Sequence, residues 1–245
     1  MKTIAHLEEQ IEELPEGYVF THNDFKKFTE NENSVEHFLN TLAKRGTISK
    51  LAKDKFYKPE ILAEGEQLLK PYEVVKDLLY DGEQQVGYLT GASVFANFDF
   101  DAVKATQLEV GLAEKRNPIK RGAFKICFVK QNNPIIAAHI PYFQILDVLR
   151  AVHSTNSATP EELCYHMTKR LTALSSPEHK TIAKLALNYN ARTRALTGAM
   201  LQKIGYLKEE ILTLLKDSIA AYSSFTFHIP SKNLPHAKAW KIRCD

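Results

Sequence analysis

The chain lacks the marks of a disulfide-built or membrane-spanning protein. Among its 245 residues there are three cysteines, Cys127, Cys164 and Cys244. They are odd in number, widely spaced and form no C-x-x-C pair, which argues against a disulfide framework or a structural zinc site and fits a reducing cytosol. No apolar run approaches the roughly 18–20 residues that cross a bilayer. The first 14 residues are acidic and amphipathic, unlike a signal peptide. The expectation is a cytoplasmic protein without a membrane partner. Enzymatic signatures are missing too: there is no P-loop, no H-E-x-x-H and no G-x-S-x-G elbow. Gly87 and Gly91 are too far apart for a dinucleotide fingerprint. Glu162 and His166 share a helix face, but with no further ligand nearby they read as a surface pair. Cys127 and Cys164 read as small core residues, and His139 as a turn residue. The reading is a protein that is not an enzyme and has no cofactor and no metal.

What is present is ordinary globular composition, 44% hydrophobic and 25% charged, so disorder is not the default reading. The net charge of +3 hides a segregation. Residues 1–62 carry 9 Lys/Arg against 11 Asp/Glu, residues 63–162 carry 10 against 13, and residues 163–245 carry 13 against 5. The basic last third is either a footprint for nucleic acid or an acidic partner, or a set of solvated helix faces. Within the first segment Lys44, Arg45, Lys50, Lys53, Lys55 and Lys58 cluster with only Asp54 among them.

Periodicity organises the N-terminal part. Ile4, Leu7, Ile11 and Leu14 recur at helical spacing over residues 3–14, and Pro15 and Gly17 end that helix. Tyr18-Val19-Phe20 is strand-like. Thr21 with Asp24 at N3 suggests a capping box, and Phe20 with Phe25 a hydrophobic staple, for a short helix reaching about Phe28. After a polar turn, Asn33, the preferred cap, or Ser34 starts a third helix with its apolar stripe at Val35, Phe38, Leu39 and Leu42. Gly46 occupies the left-handed position past its end. Residues 47–51 and 55–58 read as two strands around a turn at Lys53-Asp54. Three short helices followed by a basic hairpin form the layout of a winged helix-turn-helix over residues 1–62. Residues 61–70 read as a linker or connecting helix.

The remainder, residues 63–245, reads as a mixed α/β domain with a helical last third, so the whole is α+β. Helices are expected from Pro71 to Leu79, near Val94, after Pro141, at Thr159-Pro160-Glu161-Glu162, at Ser176-Pro177-Glu178, and from Asn190 to Gly205. Another is marked by Ile211, Leu214 and Leu215. Strands are expected at residues 86–89, 108–112, 124–129, 135–138 and 225–229. The last third should form a helical layer on the small sheet of residues 86–138.

If the stripe on the third helix faces the core, Ser34, His37, Asn40, Thr41 and Lys44 face outward. A major groove admits one such helix, and these side chains suit base edges. Arg45, Lys50, Lys53 and Lys55, with Lys44, suit phosphates. Lys169, Arg170, Lys180, Lys184, Arg192 and Arg194 form a possible second basic contact face. The run from Tyr189 to Ala199 sets two arginines at a helix start before small residues. It reads as a partner or phosphate contact, or as tight internal packing.

Three stretches resemble the AbiEi-type antitoxin family, the antitoxins and autorepressors of type IV toxin–antitoxin systems. They are Tyr18-Val19-Phe20-Thr21 with Asp24-Phe25, Leu42, Arg45-Gly46, Ile48, Leu51, Tyr57 and Pro59; Ile140-Pro141 with Ile145 to Leu149; and the run Arg192-Thr193-Arg194-Ala195-Leu196-Thr197-Gly198-Ala199. The chain departs from that family at the wing tip, where Lys50 and Lys53-Asp54-Lys55 replace a small, glycine-containing turn. The resemblance implies an autorepressor that binds inverted repeats in double-stranded promoter DNA. It also implies an antitoxin that counters a nucleotidyltransferase toxin functionally rather than through a stable complex. The alternatives are a stand-alone transcription regulator without a toxin and a protein-interaction scaffold with a vestigial winged helix.

Overall fold

The computed structural model describes the backbone of residues 2–27, 32–91, 93–94, 106–152, 159–206 and 209–244. The chain is mixed α+β, and it divides into two compact units. The first comprises residues 1–77, 105–107 and 118–127; the second takes the rest. The first therefore runs past residue 62 and recruits two later segments.

In the first unit α1 (Lys2–Glu13) is followed by β1 (Val19–Phe20), a 3-10 turn (His22–Phe25), α2 (Glu32–Arg45), β2 (Ser49–Ala52) and β3 (Lys55–Tyr57). The three strands form an antiparallel sheet in the order β1-β3-β2. The capping box forms: Thr21 N–H donates to Asp24 Oδ2 at 2.7 Å. The staple forms as well, with the Phe20 and Phe25 rings edge-to-face at 5.7 Å. The short helix is a single 3-10 turn, and its expected end at Phe28 lies outside the described residues. Leu7, Ile11, Phe20, Val35, Phe38, Leu39, Leu42, Ile48 and Phe56 are buried together as one core. Thus the period-3.6 stripe of α2 is its inner face. α2 begins at Glu32, so Asn33 and Ser34 lie inside the helix rather than capping it. Gly46 adopts φ +81°, a left-handed conformation that costs glycine little.

Residues 61–70 hold neither a plain linker nor a helix. Ile61–Leu62 (β4) and Gly65–Glu66 (β5) pair as a small hairpin, the Ala63-Glu64 turn allowing the chain to double back. α3 (Pro71–Leu79) follows as expected. Val74 and Val75 are fully buried, and the Glu73 carboxylate accepts from Val19 N–H at 2.9 Å, tying α3 to β1. Tyr80–Asp81 (β6) and Gln84–Gln85 (β7) make another small hairpin.

In the second unit β8 (Gly87–Thr90) pairs antiparallel with β9 (Gln107–Leu112). Of the helix expected near Val94, residues 92 and 95–105 lie outside the described part. Sequence periodicity misses β10 (Ile119–Arg121), which pairs with the start of β11 (Phe124–Lys130) inside the first unit; three residues beside a turn show no period of their own. β11 continues into the second unit, where the order is β11-β9-β8. The strand expected at residues 135–138 is absent. The Asn133 side chain donates to Gln131 Oε1 and Leu185 O, turning the chain, and Ala137–His139 forms a 3-10 turn leading into α4 (Ile140–Ala151).

α5 (Pro160–Thr172), α6 (Ser176–Ala186), α7 (Ala191–Lys203) and α8 (Glu209–Asp217) follow. Thr159 and Asn190 cap α5 and α7 as read from sequence. The cap of α6 is Ser175, one residue earlier than expected, because its N–H donates to Glu178 at 2.8 Å and so sets Glu178 at N3. α4, which precedes the last third, is the helix that packs on β8, and α5, α6 and α7 pack against α4. Only Phe225–Thr226 (β12) of the expected closing strand pairs, parallel to Ile242–Arg243 (β13). No helix among the described residues is long and apolar enough to cross a membrane.

Candidate nucleic-acid interface

The outward side of α2 and the β2–β3 hairpin are built by the same periodicities that make the core. With Val35, Phe38, Leu39 and Leu42 buried, the positions between them turn out: Ser34, His37, Lys44 and Arg45 are exposed. Asn40 and Thr41 are half-buried and already engaged. Asn40 Nδ2 donates to Glu36 O at 2.9 Å, and Thr41 Oγ1 donates to His37 O at 2.9 Å. Lys44 and Arg45 close the last turn of α2, where positive charge also offsets the helix dipole.

Lys50 and Lys53 on the hairpin are exposed. Lys50 Nζ donates to Asn40 Oδ1 at 2.9 Å and lies 5.5 Å from the Phe56 ring centre. This clasp joins the hairpin to α2 and fixes both polar ends of Asn40. The tight turn sets Asp54 at φ +55°, a left-handed position that Asp tolerates better than most residues.

Lys55 is placed differently. It is half-buried and pairs with Asp77 of α3 at 2.9 Å. The same carboxylate receives both arms of Arg121 from β10, at 2.6 and 2.9 Å. Arg121 also donates to Val74 O. Burial raises the pKa of Asp77, but the hydrogen bonds and charges of Arg121 and Lys55 outweigh it and hold the carboxyl below its ordinary value. Asp77 is thus the fastening between hairpin, α3 and β10, and Lys55 belongs to that fastening. On the same strand as Lys55, Tyr57 donates a hydrogen bond to Glu66; burial and that carboxylate push its pKa up to about 12.

The second basic set does not stay together as a surface. Lys169 and Arg170 on α5 and Lys180 and Lys184 on α6 are exposed. Arg192 and Arg194 are turned to internal work. Arg194 donates to Leu187 O, Tyr189 O and Ser218 O, satisfying carbonyls left over at helix ends. Arg192 donates to Thr226 O at 3.3 Å and lies over the Phe227 ring. The small residues after them serve packing: a Cβ on Gly198 would come within 2.2 Å of the Trp240 ring.

A buried polar cluster in the second unit has no counterpart among the sequence expectations. Asp147 on α4 is 3% exposed. It accepts from Tyr88 (2.8 Å), Thr90 (2.7 Å), Tyr189 (3.0 Å) and Arg150 (2.7 Å). Gln131 bridges the two tyrosine hydroxyls. Burial raises the Asp147 pKa against the lowering pull of Arg150 and the hydroxyl donors. A carboxylate among the buried apolar residues of α4 is the signal that could have found it. Both carboxylate oxygens have partners, which is the condition for tolerating a buried carboxylate. Cys164 is buried, and its thiol is pushed up to about 12 by that burial.

No protein-family model matches the chain, and no curated protein matches it. The chain is similar to the solved structure of the RV2827C protein from Mycobacterium tuberculosis, with 14% sequence identity and a TM-score of 0.52. The match covers 99% of this chain and 89% of that one. At such an identity the likeness is one of fold alone.

Proposed function

We propose that the first unit carries a winged helix-turn-helix and that the protein is a DNA-binding transcriptional regulator. The observation that carries this reading is the outer face of α2. Ser34, His37, Lys44 and Arg45 are exposed above a fully apolar inner stripe, beside a β2–β3 hairpin exposing Lys50 and Lys53. The β2–β3 hairpin follows that helix directly in the chain, the same order as a recognition helix and its wing. In this reading α2 enters the major groove, the exposed residues of α2 meet base edges, and Lys44, Arg45, Lys50 and Lys53 meet phosphates. Asn40 joins the reading face only by exchanging its bonds to Glu36 and Lys50.

The finer reading rests on the resemblance to AbiEi-type antitoxins: repression of the protein's own promoter at inverted repeats, and antitoxin activity against a nucleotidyltransferase. A second reading, a winged helix used for protein contacts, draws on β4–β5, which exposes Ile61 and Leu62 among Glu60, Glu64 and Glu66.

The experiment titrates the full chain onto a duplex carrying the sequence upstream of its own gene and onto a random duplex of equal length, at several salt concentrations. Tighter binding to the first, with affinity falling as salt rises, is expected. No binding to either duplex at low salt sinks the DNA reading. Growth rescue on co-expression with a nucleotidyltransferase encoded beside it tests the antitoxin part separately.

A further inference from the structure

The turn Gly122-Ala123 joins β10 to β11, with Gly122 at φ +51°, the positive φ that two-residue hairpin turns demand. Register places Arg121 opposite Phe124, Lys120 opposite Lys125, and Ile119 opposite Ile126. The alternation is clear. Arg121, Phe124 and Ile126 are buried, and Lys120 and Lys125 point the other way and are exposed.

Lys125 N–H donates at 2.8 Å to Thr106 O, away from β10. The lysines are therefore a non-hydrogen-bonded pair, the kind in which cross-strand side chains stand closest. Like charges directly opposite one another destabilise a strand pair. Among the described residues neither ammonium has an ion-pair or hydrogen-bond partner to offset this. A position that works against the fold invites a ligand that favours it.

The hairpin is also anchored at several points. Arg121 anchors it through Asp77 to α3 and, by the shared carboxylate, to Lys55 of β3. β10 packs on β2, and a Cβ at Gly122 would lie 3.5 Å from Leu51 Cδ1. The lysine pair thus belongs to the same compact unit as Lys50 and Lys53.

We infer that β10–β11 is a second wing, whose paired Lys120 and Lys125 bind the phosphate backbone of duplex DNA beside the β2–β3 wing. The inference rests on the duplex-binding reading and extends it to a segment well removed from the first wing in sequence. The pair reads no sequence. It supplies positive charge to a unit whose N-terminal 62 residues carry more acids than bases, and DNA relieves the repulsion between the two ammonium groups.

The test compares the full chain with Lys120→Gln/Lys125→Gln and Lys120→Arg/Lys125→Arg on operator and random duplexes across a salt series, with Tm measured for each. The Gln pair is expected to weaken binding to both duplexes alike and to flatten the log–log salt slope by about 1.8, or about 0.9 for each phosphate no longer neutralised. Its Tm should rise, because the repulsion is gone, and the Arg pair should keep the parent slope. A Gln pair with the parent's affinity and slope, while Lys53→Ala weakens binding, overturns the second wing and leaves the first standing. Equal losses of affinity and Tm in both pairs also overturn it, since the lysines would then serve the fold. A parent chain that binds no duplex removes both wings together.

Discussion

Single residues carry the sharpest consequences. Asp77 holds a nearly buried Arg121 and the half-buried Lys55. Asp77→Asn strands that guanidinium without its counter-charge, which costs more than losing an exposed pair. Because Asp77 is itself partly open to solvent, the expected loss is about 2 kcal/mol, below the range for fully buried pairs. Urea unfolding measures it. The folded-state pKa of Asp77 is depressed, so its stabilising contribution is complete above the ordinary carboxylate value. It is lost as pH falls through the lower folded value. The variant should therefore show a flatter stability profile below about pH 4 than the parent; identical acid limbs would remove Asp77 from its role as fastening. Gly198 gives a second case. An added methyl group would meet Trp240 within 2.2 Å, and both sit on packed, regular backbone. Gly198→Ala is expected to destabilise by about 3 kcal/mol, and a thermal melt superimposable on the parent's would refute that.

At the scale of elements, the proposed reading helix and wing predict separable phenotypes. His37 is exposed on α2 and Lys53 is exposed at the β2–β3 turn. His37→Ala should change sequence preference by roughly 1–3 kcal/mol for each base edge it ceases to read, because base edges discriminate. Lys53→Ala should weaken binding to every duplex alike and flatten the salt slope by about 0.9. If His37→Ala weakens operator and random DNA equally, α2 does not present this face to the bases.

Elements are also the scale at which the sequence is most legible. Helices with a local start signal are found within a residue or two: Thr21, Thr159 and Asn190 cap where their side chains predict. The same holds for strands with a clear period, such as Phe124 to Lys130. What escapes has no local signature. β4–β5 and β10 are two or three residues long, and short pairs are made by turns and tertiary neighbours rather than by periodicity. Residues 135–138 look like a strand by composition, but the buried Gln131 and Asn133 side chains bend the chain there. Of the candidate site, the exposed residues of α2 follow from its apolar stripe. The capture of Lys55 by the distant Asp77 and of Asn40 by Lys50 does not, because both depend on which strand lies beside which helix.

For the whole molecule, the question is where the surplus of positive charge in residues 163–245 goes. Part of it is turned inward. Arg192 and Arg194 are spent on carbonyls inside the second unit, which leaves Lys169 and Arg170 on α5 and Lys180 and Lys184 on α6 as the exposed members of the set. A chain cut at residue 70 cannot test them. It would lack α3, whose Val74 and Val75 are fully buried, and Arg121, so the first unit would be compromised before any DNA was added. Charge removal in the full chain avoids this. Lys169→Gln, Arg170→Gln, Lys180→Gln and Lys184→Gln together change charge without touching a buried residue. If these side chains extend the DNA footprint, the salt slope flattens by about 0.9 for each one that meets a phosphate. Operator preference is then unchanged, because none of the four reads a base. We expect a partial flattening, smaller than four phosphates would give, since the four residues lie on two different helices. A slope equal to the parent's would assign this charge to an acidic partner or to solvent, and duplex binding would then belong to the first unit alone.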